Sequence, residues 1–249
     1  MSIDYSKELR IAKKAALEAG KYLRSSKSKL NKTLLSTNKD IKLQADIESE
    51  TLIKGIIEKE SDIDILAEES GISSSSSLQN LWVVDPLDGT ANYARDIPLC
   101  CVSIALISDF QPIIGVIYDI NNDELYEGSV STKAFLNGQE ISVSNIANKN
   151  EGILITGLPN DTDYSDEALL VMVKNFQDWR KVRMIGSAAL ASVYVASGKA
   201  ELYLEKKSYL WDVAAGAAIV NAAGGKAVIE NQNEKFQVDV HFSNSLIKR

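Results

Sequence analysis

The chain has 249 residues, a formal net charge of -7 at pH 7 and an ordinary apolar content of 45%. This length suffices for one large domain with a sizeable core. An acidic chain is not expected to bind a nucleic-acid polymer, because neutralising a phosphate backbone needs clustered Lys and Arg. It can still bind a small phosphorylated metabolite through divalent cations, which reverse the sign of the local field.

The cysteines and the N-terminal segment indicate the compartment. Cys100 and Cys101 are neighbours in an apolar run and are the only cysteines. A disulfide between adjacent residues would be strained, so we expect two buried thiols in a reducing cytoplasm. The sequence shows neither a secretory signal nor an apolar run of membrane-spanning length. We therefore expect a cytoplasmic protein without a membrane partner.

The single histidine narrows the possible mechanisms. Ser-His and Cys-His nucleophiles and His-rich zinc sites all need imidazole close to the chemistry. His241 lies near the C-terminus in a segment typical of a strand, and we expect it on the surface or on an edge strand. Catalysis is then expected from carboxylates, hydroxyls or a metal ion.

Two helices and a run of strands are predicted in the first half. Apolar residues recur at helical spacing over residues 4–26 and 45–59. Apolar or alternating runs bounded by turn residues predict neighbouring strands at residues 63–67, 81–85, 101–107, 113–118 and 124–128. The polar run 73–77 is typical of an exposed loop, and Asn137-Gly138 predicts a tight hairpin turn.

The second half mixes helices and strands in a different order. Strands are predicted at residues 152–156 and 200–204, and helices at residues 166–178, 188–197 and 213–223. This alternation is typical of a layered α/β arrangement. No long Pro- or Gly-rich linker separates the halves, so residues 1–249 should form a single globular unit with closely packed halves, 1–143 and 144–249.

The most informative segment carries two aspartates in one turn. The apolar run before Asp85 brings this residue to a strand end, and Pro86 prevents the ladder from continuing. Gly89 permits a tight turn, so that Asp88 returns towards Asp85. Two carboxylates and the carbonyl of Leu87 are oxygen ligands of the kind that Mg2+ prefers. The same residues are also common in simple turns, with Asp capping backbone groups.

Two further acidic elements lie elsewhere along the chain. Glu68 and Glu69 follow the predicted strand 63–67, where adjacent acids repel unless they are solvated or bound to a metal. Asp212 opens the predicted helix 213–223, either as its N-cap or as a ligand that projects from the helix start. Each element alone also fits a solvated surface acid or a helix cap.

Three motifs together resemble the inositol monophosphatase family over nearly the whole chain. They are Ala67-Glu68-Glu69-Ser70, then Trp82-Val83-Val84-Asp85-Pro86-Leu87-Asp88-Gly89-Thr90-Ala91-Asn92-Tyr93, and Trp211-Asp212-Val213-Ala214-Ala215-Gly216 followed by Ala223-Gly224-Gly225. The resemblance implies an α/β (α+β) fold, a layered αβαβα sandwich of the sugar-phosphatase type. It also implies a lithium-sensitive, Mg2+-dependent phosphatase that forms a homodimer.

The resemblance also assigns roles to individual residues. The metal ligands that it implies are Glu68, Asp85, the carbonyl of Leu87, Asp88 and Asp212. The catalytic residues that it implies are Thr90, which orients the attacking water, its partner Asp46, and Glu69 beside the metal ligands.

Substrate contacts are implied at four positions. Gly89 and Thr90 would present backbone N–H groups to the phosphate if a helix begins there. Ser187 has the position of an N-cap in a region that resembles the family's substrate-hydroxyl site. Glu205 matches a glutamate that contacts the polyol, although its neighbours Lys206 and Lys207 also fit a solvated surface acid.

Other activities stay open at this point. Phosphoadenosine-phosphate nucleotidases share the Asp-Pro-Leu-Asp-Gly-Thr core but usually continue with Lys-Glu-Phe, whereas this chain continues with Ala91-Asn92-Tyr93-Ala94-Arg95. Histidinol-phosphate and fructose-bisphosphate phosphatases of the same superfamily are further alternatives. A non-catalytic metal or phosphate sensor would be expected to lose ligands, and a scaffold protein would need an exposed apolar patch.

Overall fold

The computed structural model describes residues 4–36, 41–73, 79–158 and 162–247. Seven helices are seen there, α1 (Ser6–Ser25), α2 (Lys27–Leu30), α3 (Gln44–Ile57), α4 (Thr90–Ala94), α5 (Asp166–Phe176), α6 (Ala188–Ala196) and α7 (Leu210–Ala222). A short 3-10 turn covers Lys149–Glu151. Residues 74–77 of the predicted exposed loop lie outside the described residues.

The strands of the same ranges form three sheets. The small sheet pairs β1 (Thr33–Ser36) with β2 (Ile41–Leu43). The eight-stranded sheet contains β3 (Ile65–Ala67), β4 (Gly71–Ile72), β5 (Asn80–Asp88), β6 (Cys101–Ser108), β7 (Gln111–Asp119), β8 (Glu124–Ser129), β9 (Phe135–Leu136) and β10 (Gln139–Glu140). The five-stranded sheet contains β11 (Ile153–Thr156), β12 (Lys181–Arg183), β13 (Leu202–Tyr209), β14 (Lys226–Glu230) and β15 (Gln237–Ser243).

Helices and sheets alternate in five layers. Helices α1 and α3 cover the outer face of the eight-stranded sheet, and α6 and α7 lie between the two large sheets. Phe176 at the end of α5 packs on Leu154 and Leu202, on the outer face of the five-stranded sheet. This is the layered αβαβα arrangement that the resemblance implied, and the fold prediction is confirmed.

Strand β5 explains why the central strands have continuous apolar sequences. Leu81 and Val83 point into the core between the two sheets, whereas Trp82 and Val84 point into the core beneath α1 and α3. Alternate residues of a strand face opposite sides of a sheet, and here both sides are covered by helices. The strand therefore needs apolar residues at every position, and it delivers Asp85 and Asp88 to its carboxyl end.

The hairpin turn is confirmed in detail. Strands β9 and β10 pair antiparallel around the two-residue turn Asn137-Gly138, whose φ angles are 48° and 80°. Positive φ at both central positions is the geometry of a type I′ turn, which favours Asn followed by Gly.

His241 lies in the interior of the five-stranded sheet, so the expectation of a surface or edge-strand position is wrong. The strand order is β12-β11-β13-β15-β14, which places β15 between two partners. His241 pairs with Leu204 on one side and with Val228 on the other, and its exposed fraction is 8%. The C-terminal strand inserts between β13 and β14, a long-range pairing that the local sequence does not reveal.

The cysteines agree with the expectation of two buried thiols. Cys100 and Cys101 are both buried and free. Within the described ranges, each helix is either too short or too polar to cross a membrane.

Close packing of α7 on β7 fixes the position of the middle layer. A Cβ atom at Gly115 of β7 would overlap the backbone of Ala215 in α7. Only a residue without a side chain allows this approach. Because Asp212 lies one turn before Ala215, the contact also fixes where this carboxylate stands.

We predict that Gly115→Ala destabilises the protein by about 1–3 kcal/mol, because an extra methyl group must push α7 away from the sheet. Gly55→Ala is the matched control. Apart from its chain neighbours and the backbone of its own helix, no described heavy atom lies within 4 Å of a Cβ at Gly55, and Ala favours a helix interior over Gly by about 0.8–1 kcal/mol. The urea concentration at the midpoint of unfolding should fall for Gly115→Ala and rise for Gly55→Ala. Equal shifts would contradict the packing argument.

Candidate active site

Four acidic residues meet where the first large sheet contacts the middle helices. Asp85 and Asp88 lie at the carboxyl end of β5, and Glu68 directly follows β3. Strands β3 and β5 run parallel, so their carboxyl ends share one edge of the sheet. Asp212 is the third residue of α7, whose first turn points to the same place.

Asp85 is at the centre of this group. Its exposed fraction is 2%, and its Oδ1 atom accepts a hydrogen bond of 2.9 Å from the backbone N–H of Leu87. Burial raises the pKa of Asp85 well above its usual value, and the negative charges of Glu68, Asp88 and Asp212 raise it further. The four acids therefore share one electrostatic neighbourhood, as the three motifs suggested.

Asp88 is oriented towards the start of α6. Its Oδ2 atom accepts hydrogen bonds from the Ser187 hydroxyl and, at 2.9 Å, from the backbone N–H of Ala189. The N–H of Ala188 lies 3.3 Å from Oδ1. Burial raises the pKa of Asp88, while these donors lower it. The helix N-terminus thus partly compensates the buried charge.

Asp212 is held at the start of its own helix. Its Oδ2 atom accepts a hydrogen bond of 3.0 Å from the backbone N–H of Tyr209, which is the N-cap residue of α7. Asp212 is therefore the third helical residue and not the N-cap. Burial raises the pKa of Asp212 well above its usual value, and the charges of Asp88 and Glu68 raise it further.

The acids are near one another but do not yet surround one point. In the part of the chain that the structure describes, no three His, Cys, Asp or Glu side chains form a ready group for a metal ion. The reason is visible in the hydrogen bonds, because Asp88 and Asp212 each turn towards a helix start. Mutual repulsion favours such separate partners. Ligation of one cation by all four acids stays a prediction.

The donor set nevertheless fits a hard divalent cation. The acids supply only carboxylate oxygens, and Leu87 adds a backbone carbonyl at the same turn. Buried carboxylates that raise one another's pKa need a proton, a hydrogen-bond donor or a cation to offset their charge. A Mg2+ ion is a counter-charge of the right chemistry for these oxygens.

Thr90 and Asp46 form the pair that the resemblance implied. The Thr90 hydroxyl lies 3.0 Å from Oδ1 of Asp46 and 2.9 Å from the carbonyl oxygen of Leu87. Oδ2 of Asp46 accepts a hydrogen bond of 2.6 Å from the backbone N–H of Leu43, which anchors the carboxyl at the start of α3. Burial raises the pKa of Asp46 to about 6, against the hydrogen bonds of Leu43 and Thr90.

Helix α4 begins at Thr90, as the substrate prediction required. Gly89 precedes it with φ 85° in the left-handed region. A Cβ atom at Gly89 would lie 2.6 Å from the Leu99 carbonyl oxygen and 3.3 Å from that of Gly186. Gly89 is thus needed both for its backbone angle and for space. Its contact with a phosphate stays a prediction.

Glu69 follows Glu68 directly, and its contacts are with β2 and α3. Its carboxylate forms an ion pair with Lys42 of β2, and its backbone N–H donates a hydrogen bond of 2.8 Å to the Glu50 carboxylate. These contacts join the turn after β3 to β2 and α3. The catalytic role predicted for Glu69 is untested by this geometry.

The two predicted substrate residues of the second half differ in their surroundings. The Ser187 hydroxyl caps α6 by accepting the Leu190 N–H at 3.2 Å and also donates to Asp88. Glu205 lies half-buried on β13, and burial raises its pKa to about 7, with the charge of Asp88 adding to the shift. Glu205 is therefore close to the acids, which favours a site residue over a solvated acid beside Lys206.

Sequence reasoning did not single out the role of Asn92. Its Nδ2 atom lies 2.8 Å from the Leu99 carbonyl oxygen, 2.9 Å from that of Ile185 and 3.1 Å from that of Gly186. One amide thus joins α4 to the loop that precedes α6. The only signal in the sequence was its place in the motif that ends at Tyr93.

Solved structures with this fold include phosphatases. The inositol monophosphatase from Anabaena (Nostoc) sp. PCC 7120 superposes with a TM-score of 0.83 at 32% identity, over 97% of this chain and 92% of that chain. The layered fold, with its acids between sheet and helices, therefore defines a phosphatase of the α/β sandwich class.

The chain belongs to the inositol monophosphatase family, whose family model matches residues 4–244. An inositol-1-monophosphatase of Mesorhizobium japonicum is 34% identical over 221 residues, which are 87% of this chain and 83% of that protein. The Nus factor SuhB of Xylella fastidiosa is 35% identical over 216 residues, 85% of this chain and 78% of that protein.

We predict that Gly89→Ala both destabilises the protein and disrupts hydrolysis of a phosphate monoester, because Asp88 and Thr90 flank the strained position. The matched control is Gly138→Ala, at a position with φ 80° where, apart from the two chain neighbours, no described heavy atom lies within 4 Å of a Cβ. In both variants the left-handed backbone angle should lower the free energy of unfolding by about 1–2 kcal/mol. Gly89→Ala should lower it further, because its methyl group would clash with the Leu99 carbonyl oxygen. Thermal melting and phosphate release would measure both effects. A Gly89→Ala variant that matches the control in both would refute this role.

Proposed function

We propose that the protein hydrolyses a small phosphate monoester similar to inositol monophosphate, with Mg2+ as cofactor. The observation that carries the proposal is the convergence of acidic residues at the carboxyl ends of the parallel strands β3 and β5 and at the start of α7, next to the hydrogen-bonded pair of Thr90 and Asp46. Such a group of acids beside the Thr90–Asp46 pair is suited to metal-assisted phosphoryl transfer. Membership of the family supports the reaction class.

The four acids and the carbonyl of Leu87 would hold the metal. When bound, Mg2+ acidifies water and stabilises the charge that develops on the phosphate and leaving oxygen. Ligation by Asp88 and Asp212 requires a change in their present hydrogen bonds to α6 and to Tyr209. Side-chain rotation at the helix starts is therefore part of the proposal.

Thr90 and Asp46 would orient the attacking water. With a pKa of about 6, Asp46 is mostly ionised at neutral pH, and an ionised carboxylate is a stronger acceptor than a carbonyl. The Thr90 proton therefore favours Asp46 and leaves the Leu87 carbonyl available as a ligand. A lone pair of the Thr90 oxygen can then accept a hydrogen bond from the attacking water and orient that water towards the phosphorus.

The second half would recognise the leaving group. Glu205 lies close enough to Asp88 for their charges to interact, which supports a role for Glu205 in binding the leaving alcohol. Its carboxyl can accept a hydrogen bond from a polyol hydroxyl. We assign Ser187 and the backbone of Gly89 and Thr90 to the same substrate surface.

We further propose that the protein acts in the cytoplasm, because its two buried cysteines are free thiols and a reducing compartment keeps thiols in this state.

A substrate panel tests the proposed activity. Phosphate release should be measured from inositol monophosphate, phosphoadenosine phosphate, fructose bisphosphate and histidinol phosphate, each with and without Mg2+ and with added Li+. We expect Mg2+-dependent release, fastest from inositol monophosphate and inhibited by Li+. Faster release from another of the four substrates would assign the corresponding alternative activity to the protein. Absence of release from all four would contradict the phosphatase proposal.

The metal site has a second, independent test in Asp85→Asn. This variant removes one of several buried like charges, so we expect it to melt at a higher temperature than the wild type in EDTA. Mg2+ should raise the melting temperature of the wild type, because a ligand that binds only the folded state stabilises it. The variant should lose this Mg2+ effect, and phosphate release should fall at least about 100-fold.

Glu127→Gln is the matched control for Asp85→Asn. Glu127 is also a buried acid, with an exposed fraction of 7%, but it pairs with Lys13 at 2.8 Å, far along the chain from the site motifs. This variant should keep both the Mg2+ effect and activity. A wild-type response to Mg2+ in Asp85→Asn would exclude Asp85 as a ligand.

We further propose a homodimer through α5. This helix has no buried residue, and it exposes Leu170, Val171 and Val173 by 54%, 60% and 48%. An exposed apolar face of this kind is typical of an interface. Acidic residues begin α5, whereas Lys174 ends it and Lys181 and Arg183 lie on the edge strand β12. A second copy packed antiparallel would therefore pair opposite charges on both sides, as two-fold symmetry requires.

We predict that Leu170→Asp converts the dimer to a monomer, because two buried carboxylates would face an apolar surface. Light scattering after size exclusion would measure the mass. The matched control is Val130→Asp, at an apolar residue with 65% exposure in the turn after β8. This control should stay dimeric. A monomeric wild type, or a dimer in both variants, would exclude this interface.

A further inference from the structure

A β-bulge in β13 changes which side chains face the site. Glu205 pairs with Val240 of β15, but the next pair is Ser208 with Val238, so two residues of β13 oppose one of β15. Lys207 has φ 58°, and its N–H donates a hydrogen bond of 3.0 Å to the Asp239 carboxylate. This is the two-against-one geometry of a bulge, which is often found next to active sites.

The extra residue brings Ser208 to the same face of the sheet as Glu205. Without a bulge, residues three apart on a strand point to opposite faces. Here Val240 and Val238 are two apart and share a face, so their partners Glu205 and Ser208 share it too. Ser208 is 2% exposed, whereas Lys206 and Lys207 between them are exposed.

Ser208 contacts the proposed metal ligand Asp212 and lies on the same face of the sheet as Glu205. Its hydroxyl oxygen is 3.5 Å from Oδ2 of Asp212. On the other side, hydrogen bonding by Ser208 and Tyr203 lowers the pKa of Glu205, in opposition to burial. The Tyr203 hydroxyl is fully buried there and has no well-aligned partner among the described residues. The buried hydroxyl groups of Tyr203 and Ser208 thus lie beside Glu205.

We infer that Ser208 is a positioning residue that couples Glu205, on the substrate side, to Asp212, on the metal side. The inference rests on the proposed function and adds a residue that neither the motifs nor the periodicity indicated. The single proton of this hydroxyl can be donated to Asp212, which offsets part of the repulsion between the two carboxylates, and the side chain limits how far each carboxylate can rotate. Its removal leaves two like charges facing each other in a half-buried site.

The coupling predicts a specific pattern for Ser208→Ala. Polar groups that orient metal ligands typically contribute about 10–100-fold to metal affinity, and a single contact at 3.5 Å should give the low end. We expect Mg2+ to bind the free enzyme about tenfold more weakly, measured by calorimetry without substrate. KM for inositol monophosphate should rise, while kcat at saturating Mg2+ stays within about threefold of wild type.

The choice of substrates separates positioning from general damage. p-Nitrophenyl phosphate has no polyol hydroxyl for Glu205 to contact, so its KM at saturating Mg2+ should not change in Ser208→Ala. Ser208→Thr keeps the hydroxyl and should restore Mg2+ affinity to within about threefold of wild type. Ser197→Ala is the control, because its hydroxyl bonds the Val193 carbonyl at 2.7 Å within a helix end. It should leave all values unchanged.

The inference is overturned if Ser208→Ala binds Mg2+ and inositol monophosphate as the wild type does. Equal increases in KM for both substrates would also overturn it, since they would indicate loss of structure instead of a lost link to Glu205. Should the Ala variant melt below the assay temperature, Ser208→Cys replaces it. A Ser208→Cys variant that binds Mg2+ and inositol monophosphate as the wild type does would also overturn the inference. A wild type that releases no phosphate contradicts the proposed function, whereas Mg2+ calorimetry still tests the contact with Asp212.

Discussion

The site depends on like charges that the fold buries together. Asp85, Asp88 and Asp212 meet where β5 ends and α7 begins, and the low effective dielectric there strengthens their repulsion. Each carboxylate accepts a hydrogen bond from a backbone N–H group in a turn or at a helix start, and this hydrogen bond compensates part of its charge. The uncompensated remainder has the sign that attracts a cation. Burial by the layered fold is therefore the source of both the strain and the chemistry that we propose.

The two halves of the chain are joined at this same point. Asp88 of the first half accepts hydrogen bonds from Ser187 and Ala189 of the second half. Asn92 of α4 donates hydrogen bonds to the carbonyl oxygens of Ile185 and Gly186. Between the sheets, Gly115 lets α7 lie directly on β7. A shift of one half would move Asp212 relative to Asp85. Contact between the halves thus fixes the positions of the backbone segments that carry the acids, while the side chains can still rotate.

The fold could be predicted from sequence where a local pattern was strong. Helices α1 and α3, strands β5 to β8 and the Asn137-Gly138 turn follow from periodicity and turn chemistry, because each element buries its own apolar face. Short elements such as β4 and β12 hold too few residues to show a period. His241 was misplaced for a different reason. Whether a strand is interior or at an edge depends on pairing between distant segments, here β15 with both β13 and β14.

The same limit applies to the site. The family resemblance gave the identities of the acids and of the Thr90–Asp46 pair, but not the orientation of Asp88 towards α6, since that depends on donors about 100 residues away. Ser208 shows the limit most clearly. By strand alternation it would face away from Glu205, and only the bulge against β15 reverses this. Local sequence therefore supplies the chemical groups, while pairing between distant strands decides which of them face one another.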